Sequence, residues 1–336
     1  MKLIDNKTAF QILLMHAASD SRGELLYGDS MERVKKIVPD FLGNGPFPDV
    51  YLESPLSGDP YIDISLTAIF DDTSETNYIS SPLAEGTDRM MEYLRTASAK
   101  YPVISGGFEI DTKSPSPGAA AVHFQPREHT FLTAGFCEAI GEPLYGQLYE
   151  EMVQRLNGCW KPSYFGLFRG RPGLPLRVGG YLGREEIREC IHDPERIERT
   201  FKAAGFTAYD DKMVREITSV MAVSPGSNEF QFDIFPDGTV GNIFSLSTNF
   251  AIEEPEAILA SFKDGDGARY IDLLKQWNIA DDRWKKGIGA TFAGALPFGE
   301  KKLTLCMFPQ WLKVRWTDMK LQPAKMYHLI KAGEIT

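Results

Sequence analysis

Glu53 and Asp63 flank the turn residues Ser57-Gly58-Asp59-Pro60, and each takes a polar position in a segment that alternates polar and apolar side chains. That spacing makes them neighbours across a β-hairpin. The same alternation selects His123 with Ser105, Glu109 and Gln125, then Arg177 with Tyr181. It continues through Gln231, Asp233 and Phe235, and ends on Trp311, Lys313 and Arg315. Tyr51 stands two residues before Glu53. Side chains two apart on a strand share a face, so each group forms one row. Rows that mix both signs of charge with Tyr, Trp, Ser and Asn have the composition of an active-site lining, able to exchange protons, hold charge and pack on a ligand.

The positions between these rows are apolar: Leu52, Ile62, Ile64 and Leu66, then Phe108, Val122 and Phe124, Val178, Phe230, Phe232, Phe244 and Leu246, and Leu312, Val314 and Trp316. Five hairpins carry the rows. They run over Asp49 to Phe70, Val103 to Gln125, Ser163 to Leu182, Glu229 to Thr248 around the turn Pro236-Asp237-Gly238, and Lys302 to Trp316. Helical periodicity fills the intervals, at Thr8 to Phe41, Thr87 to Lys100, Phe131 to Leu156, Pro194 to Ala204, Asp210 to Met221, Pro255 to Phe262 and Ala268 to Trp277, with a closing helix at Pro323 to Ala332. The apolar face needs a cover, and the interleaved helices supply it. Ten antiparallel strands can close on themselves, which removes both edges and encloses a cavity. The expected fold is therefore an α/β protein built on a ten-strand antiparallel β-barrel with a polar lumen surrounded by helices. An open sheet with one wet face is the alternative. No low-complexity linker divides the chain, so residues 1–336 read as one domain.

The totals narrow the partners. A net charge of −10 disfavours nucleic acid and anionic membrane, both of which need a basic footprint. Met1 to Lys7 breaks into charge before any apolar run forms, and no later stretch is apolar enough to span a bilayer, so a cytoplasmic protein is expected. Cys137, Cys159, Cys190 and Cys306 suit neither a zinc site nor a disulfide framework and read as reduced thiols. Gly179-Gly180 inside a strand opens the backbone to a close-lying ligand. The run 71–75, Asp-Asp-Thr-Ser-Glu, follows a strand rather than lying on a helix and reads as a solvated loop.

Repeated αββα units of this kind resemble the ABBA-type prenyltransferases, whose fold is the PT barrel. Met90 to Leu94 through Tyr101 to Pro126 is similar to the second repeat of the small bacterial aromatic enzymes. Gly166-Leu167-Phe168-Arg169 with Leu176-Arg177-Val178 is similar to strands of the cyanobactin peptide prenyltransferases. Phe232 to Phe235 with Asn242 to Thr248 is similar to the fourth hairpin of either group, and Lys313 falls where the family places a lysine on its last strand. The resemblance implies transfer of an allylic prenyl group from its diphosphate to an aromatic small molecule or a peptide, by a protein acting as a monomer. Lys313, Arg315 and Arg177, with His123 as a further donor, would hold the diphosphate. Tyr51, Tyr181, Phe235 and Trp311 would line the prenyl and acceptor sites. Glu53 would be the acceptor-side carboxylate, and Asp63 either a second catalytic carboxylate or a ligand for Mg²⁺.

The sequence also departs from the family. Ala119-Ala120-Ala121-Val122-His123 lacks a lysine that the small-molecule enzymes carry, and Asn242 stands where a cation is expected. That leaves two other readings open: a non-catalytic barrel that binds a small ligand or peptide, and a barrel enzyme of another reaction class.

Overall fold

The computed structural model describes residues 6–17, 26–40, 42, 48–70, 87–101, 104–112, 121–250, 255–298 and 301–335. The acidic run 71–75 and the turn at 113–118 lie outside them. Strands β1 (Asp49–Pro55), β2 (Asp63–Phe70), β3 (Ile104–Ile110), β4 (Ala121–Gln125), β5 (Tyr164–Leu167), β6 (Leu176–Leu182), β7 (Asn228–Ile234) and β8 (Val240–Asn249) pair with their neighbours in chain order, all antiparallel. A short β9 (Phe292–Phe298) then leads into β10 (Lys301–Thr317), which meets β8 with Lys313 opposite Ser247. After β11 (Lys320–Leu321), β12 (Lys325–Ile335) lies between β10 and β1. The sheet closes into the expected ten-strand barrel, β1 to β8 with β10 and β12, and β9 and β11 extend it at β10.

Closure takes a different route at the C-terminal end. The expected closing helix is strand β12, with Met326, His328, Leu329 and Ile330 all buried. A strand buried on both faces shows no clean alternation, and its Lys, Met, Leu and Ala favour helix intrinsically. Pairing on both edges overrides that preference. Likewise Lys302 to Trp316 is not a hairpin. It is one 17-residue strand with a register shift between Pro309 and Trp311. Pro309 cannot donate to the ladder, so the chain bends there and continues. The fifth hairpin is β10 with β12.

Helices α1 (Asn6–Ala17) and α2 (Ser30–Ile37) precede the first hairpin, and α3 (Thr87–Ser98), α4 (Leu132–Ala139), α5 (Pro143–Arg155), α6 (Arg184–His192), α7 (Glu195–Ala204), α8 (Asp211–Val223), α9 (Pro255–Asp264), α10 (Asp266–Gln276) and α11 (Arg283–Gly289) fall between the hairpins. They cover the apolar strand face. Phe136 of α4 stacks on Phe124 of β4 at 4.4 Å between centroids, and Phe165 of β5 meets both rings edge-on. Phe201 of α7 packs on Phe232 and Phe244. Asp210 caps α8 by accepting from the Met213 N–H at 2.7 Å. From that helix Glu216 accepts the indole N–H of Trp316 at 2.8 Å, which ties α8 to β10. Among the described residues no helix is long and apolar enough to cross a membrane.

Candidate active site

The barrel encloses a cavity of about 650 Å³ whose walls are the polar strand rows. Tyr51, Glu53, His123, Arg177, Tyr181, Trp311 and Lys313 all line it, with Glu109, Gln125, Gln231, Ser247 and Asn249. Arg127 and Lys161 add exposed cations to the lining. Burial pushes the His123 imidazole down to about 4, and its Nε2 lies 3.1 Å from Thr67 Oγ1. It is neutral at pH 7 and offers at most one N–H to an anion.

The cations differ in how free they are. Arg177 is clamped by Asp233, with Nε to Oδ1 at 2.8 Å and Nη2 to Oδ2 at 3.1 Å, and its guanidinium lies 4.4 Å from the centre of the Phe168 ring. Burial opposes its charge, but Asp233 outweighs burial and keeps it protonated. Lys313 has no carboxylate within ion-pair distance among the described residues; its Nζ lies 3.1 Å from Tyr327 Oη. Burial pushes its ammonium down to about 8, with Glu53 acting the other way. Arg315 departs from expectation. It shares the strand face with Lys313, opposite Ser245, yet it is not among the cavity-lining residues. Two residues of strand carry it about 7 Å further along the barrel. Its Nε finds no hydrogen-bond partner among the described residues.

Glu53 and Asp63 are neighbours as expected, and both belong to Lys325. Its Nζ stands 3.0 Å from Glu53 Oε1 and 3.2 Å from Asp63 Oδ2. Burial would raise the Glu53 carboxyl, but Lys325 and Lys313 hold it well below the usual carboxylate range. Asp63 goes the other way: burial, opposed by Lys325 and reinforced by Glu53, pushes it up to about 7. Asp63 does not fit the metal role. Its other oxygen accepts the Thr112 N–H at 3.3 Å, and it is not on the cavity wall. It also belongs to no group of three or more His, Cys, Asp or Glu side chains, among the described residues, that could hold a metal.

Phe235 is the other departure. A register shift between Phe232 and Ile234 breaks the alternation of β7, and Phe235 follows in the β7–β8 turn, its N–H donating to Thr239 O. Its ring packs over Gly173 and Gly241, away from the cavity wall. Tyr164 and Tyr327 supply aromatic surface that sequence reading did not single out. Tyr164 stands beside Tyr181 at 6.0 Å between centroids, and Tyr181 beside Trp311 at 6.1 Å. A Cβ on Gly179 would overlap the Tyr164 ring. The glycine thus admits a side chain of the protein itself. Glu229 was missed too, although one more step of the alternation through Gln231 and Asp233 reaches it. Lys325 and Tyr327 were hidden by the helical reading of their segment.

No protein-family model matches the sequence, and no curated protein matches it. Solved structures do. The prenyltransferase PriB in its apo form aligns over 98% of this chain and 96% of its own, with a TM-score of 0.56 and 10% sequence identity. The 5-dimethylallyltryptophan synthase from Streptomyces coelicolor aligns over 97% of both chains, with a TM-score of 0.52 and 10% identity. PriB in binary complex with its product diphosphate gives a TM-score of 0.53 at 10% identity over 97% of this chain. With the strand order and closure above, these similarities establish that the chain has the PT-barrel fold of the ABBA prenyltransferases.

Proposed function

We propose that the protein is a prenyltransferase that moves an allylic group from its diphosphate to an aromatic small molecule or a peptide side chain inside the barrel. The observation that carries the reading is the pairing, in one lumen, of the buried ammonium of Lys313 with the rings of Tyr51, Tyr164, Tyr181, Trp311 and Tyr327. The fold supports it, since PriB and the 5-dimethylallyltryptophan synthase are built on the same barrel.

Ionisation of an allylic diphosphate breaks the C1–O bond and leaves the electron pair on the diphosphate. Lys313 would meet that charge, joined by Arg127 and Lys161. The tyrosine and tryptophan faces would steady the allylic cation and keep water from it. The acceptor then attacks C1 and loses its proton to the released diphosphate. Glu53 is held ionised by Lys325, which makes it a weak base. It suits orientation of the acceptor, by accepting an N–H or O–H, better than proton abstraction. Asp63, with its raised carboxyl behind Glu53, is a support for that pair rather than a Mg²⁺ ligand. The whole chain would act as one barrel unit and as a monomer.

The committed Arg177–Asp233 pair favours a second reading, a barrel that binds a small ligand or peptide without chemistry, because it withholds one cation from a diphosphate. Incubation with dimethylallyl and geranyl diphosphate and a panel of phenols, indoles and peptides separates the two. Prenylated product by mass spectrometry, lost in Lys313→Ala, is expected. Absence of product and of diphosphate binding across the panel would favour the second reading.

A further inference from the structure

The ion pairs of the lumen do not use every carboxylate on its wall: Glu128, Glu186 and Glu229 have none among the described residues, and of these Glu229 stands against the aromatic wall, accepting from the Tyr164 hydroxyl. Glu53 and Asp63 share Lys325, Asp233 holds Arg177 and Glu109 meets Arg171 at 3.4 Å. Glu229 lines the same cavity and has no Lys, Arg or His within ion-pair distance among the described residues. Its hydrogen bonds come from neutral groups, the Tyr164 hydroxyl and Gln231 Nε2, the latter at 2.6 Å. Both donors meet the same oxygen, Oε1. No donor of the described residues reaches Oε2, and that atom is not among the buried unpartnered ones, so it faces the open lumen.

The surroundings match this charge to a cation. Tyr164, Tyr181 and Trp311 form a run of rings at 6.0 and 6.1 Å beside Glu229. Its negative charge adds to burial in raising the hydroxyls of Tyr51 and Tyr181, so these rings stay neutral and keep the electron-rich faces that attract cations. Gln231 is more than nine-tenths buried, and Glu229 fixes its amide orientation, because a flip would set Oε1 against the carboxylate. That leaves Gln231 Oε1 buried, with no donor among the described residues. A carboxylate oxygen and a wall of aromatic faces together want a ligand with an N–H donor and a positive charge. They would also be a hazard if left bare. An allylic cation formed next to an open carboxylate is captured by it as an ester.

We infer that Glu229, Tyr164, Tyr181 and Trp311 form a subsite for an organic cation, and that the molecule bound in this lumen carries an alkylammonium or guanidinium group on an aromatic or apolar body. This rests on the lumen being a ligand site, and it deepens the prenyltransferase reading by naming the class of acceptor. The ligand's ammonium or guanidinium would donate to Glu229 Oε2 and lie over the rings, with its body directed toward Glu53 and Lys313.

Equilibrium binding without any prenyl diphosphate tests the subsite apart from the reaction. Matched pairs differ only in the cationic group: tryptamine and tryptophol, tyramine and tyrosol, phenethylguanidine and phenethylurea. Calorimetry on the full chain should show the cationic member of at least one pair binding at least tenfold tighter, and Glu229→Gln should abolish that preference while leaving the neutral member's affinity in place. Equal affinity within every pair, no binding of any probe, or a preference retained in Glu229→Gln overturns the inference. The wild-type comparison decides it even if the variant does not fold. Cation preference without prenyl transfer would remove the proposed reaction and leave the subsite standing.

Discussion

Lys325 Nζ lies 3.0 Å from Glu53 Oε1, joining the last strand of the barrel to the first where the sheet closes. Its second contact, with Asp63 at 3.2 Å, spans to β2, so one ammonium serves two buried carboxylates and the cluster joins three adjacent strands. Removing it strands both charges. Lys325→Met should destabilise the fold by about 3–5 kcal/mol, measured by urea denaturation. Adding Glu53→Gln and Asp63→Asn to that variant should restore most of the loss, because the uncompensated charge, rather than the missing contact, carries the cost.

Asp63 makes stability depend on pH in a definite direction. Its folded carboxyl is raised to about 7, above its unfolded value near 3.8, so the folded state binds more protons across that interval. Its contribution is complete below about 4 and is lost as pH rises through about 7. His123 and His328, both pushed down to about 4 by burial, act in the opposite sense over nearly the same range. The effect is therefore read as a difference. Relative to wild type, Asp63→Asn should gain stability between pH 5 and pH 7.5. An unchanged gap between the two urea midpoints would show that Asp63 does not titrate there.

Lys313 and Arg315 separate the anion-binding role. Lys313→Ala should weaken binding of inorganic diphosphate roughly 10- to 100-fold, the scale of a lost charge-assisted hydrogen bond. Arg315→Ala should change it less than threefold, because Arg315 is off the cavity wall. With the free ammonium at about 8, diphosphate affinity should fall as pH rises past that value, and the decline should vanish in Lys313→Ala. Titration calorimetry across pH 7 to 9 measures all three.

Gly179→Ala tests the packing of the wall. The added methyl would overlap the ring of Tyr164, whose hydroxyl donates to Glu229. A cost of about 1–3 kcal/mol is expected, seen as a lower urea midpoint. Gly179→Ala with Tyr164→Ala should recover part of it, since the smaller side chain removes the overlap with the ring and leaves only that with the Phe230 carbonyl.

The amino-acid sequence by itself determined the two faces of eight strands, and with them the barrel, its helical cover and a polar lumen with Tyr51, Glu53, His123, Arg177, Tyr181, Trp311 and Lys313 on its wall. Alternation within a strand is local chemistry and survives into the fold wherever one face is polar and the other apolar. Only the tertiary structure decided how the barrel closes. Lys325 to Ile330 carries no clean alternation, because both of its faces are buried, and its state is set by the two strands that pair with it. The same limit governs the charges. Spacing named Arg177 and Glu53 as candidates, but their partners Asp233 and Lys325 come from strands that are distant in sequence. Which lumen charge is spent on a neighbour and which stays unpaired is therefore fixed only when the strands meet, as the contrasts of Arg177 with Lys313 and of Glu53 with Glu229 show.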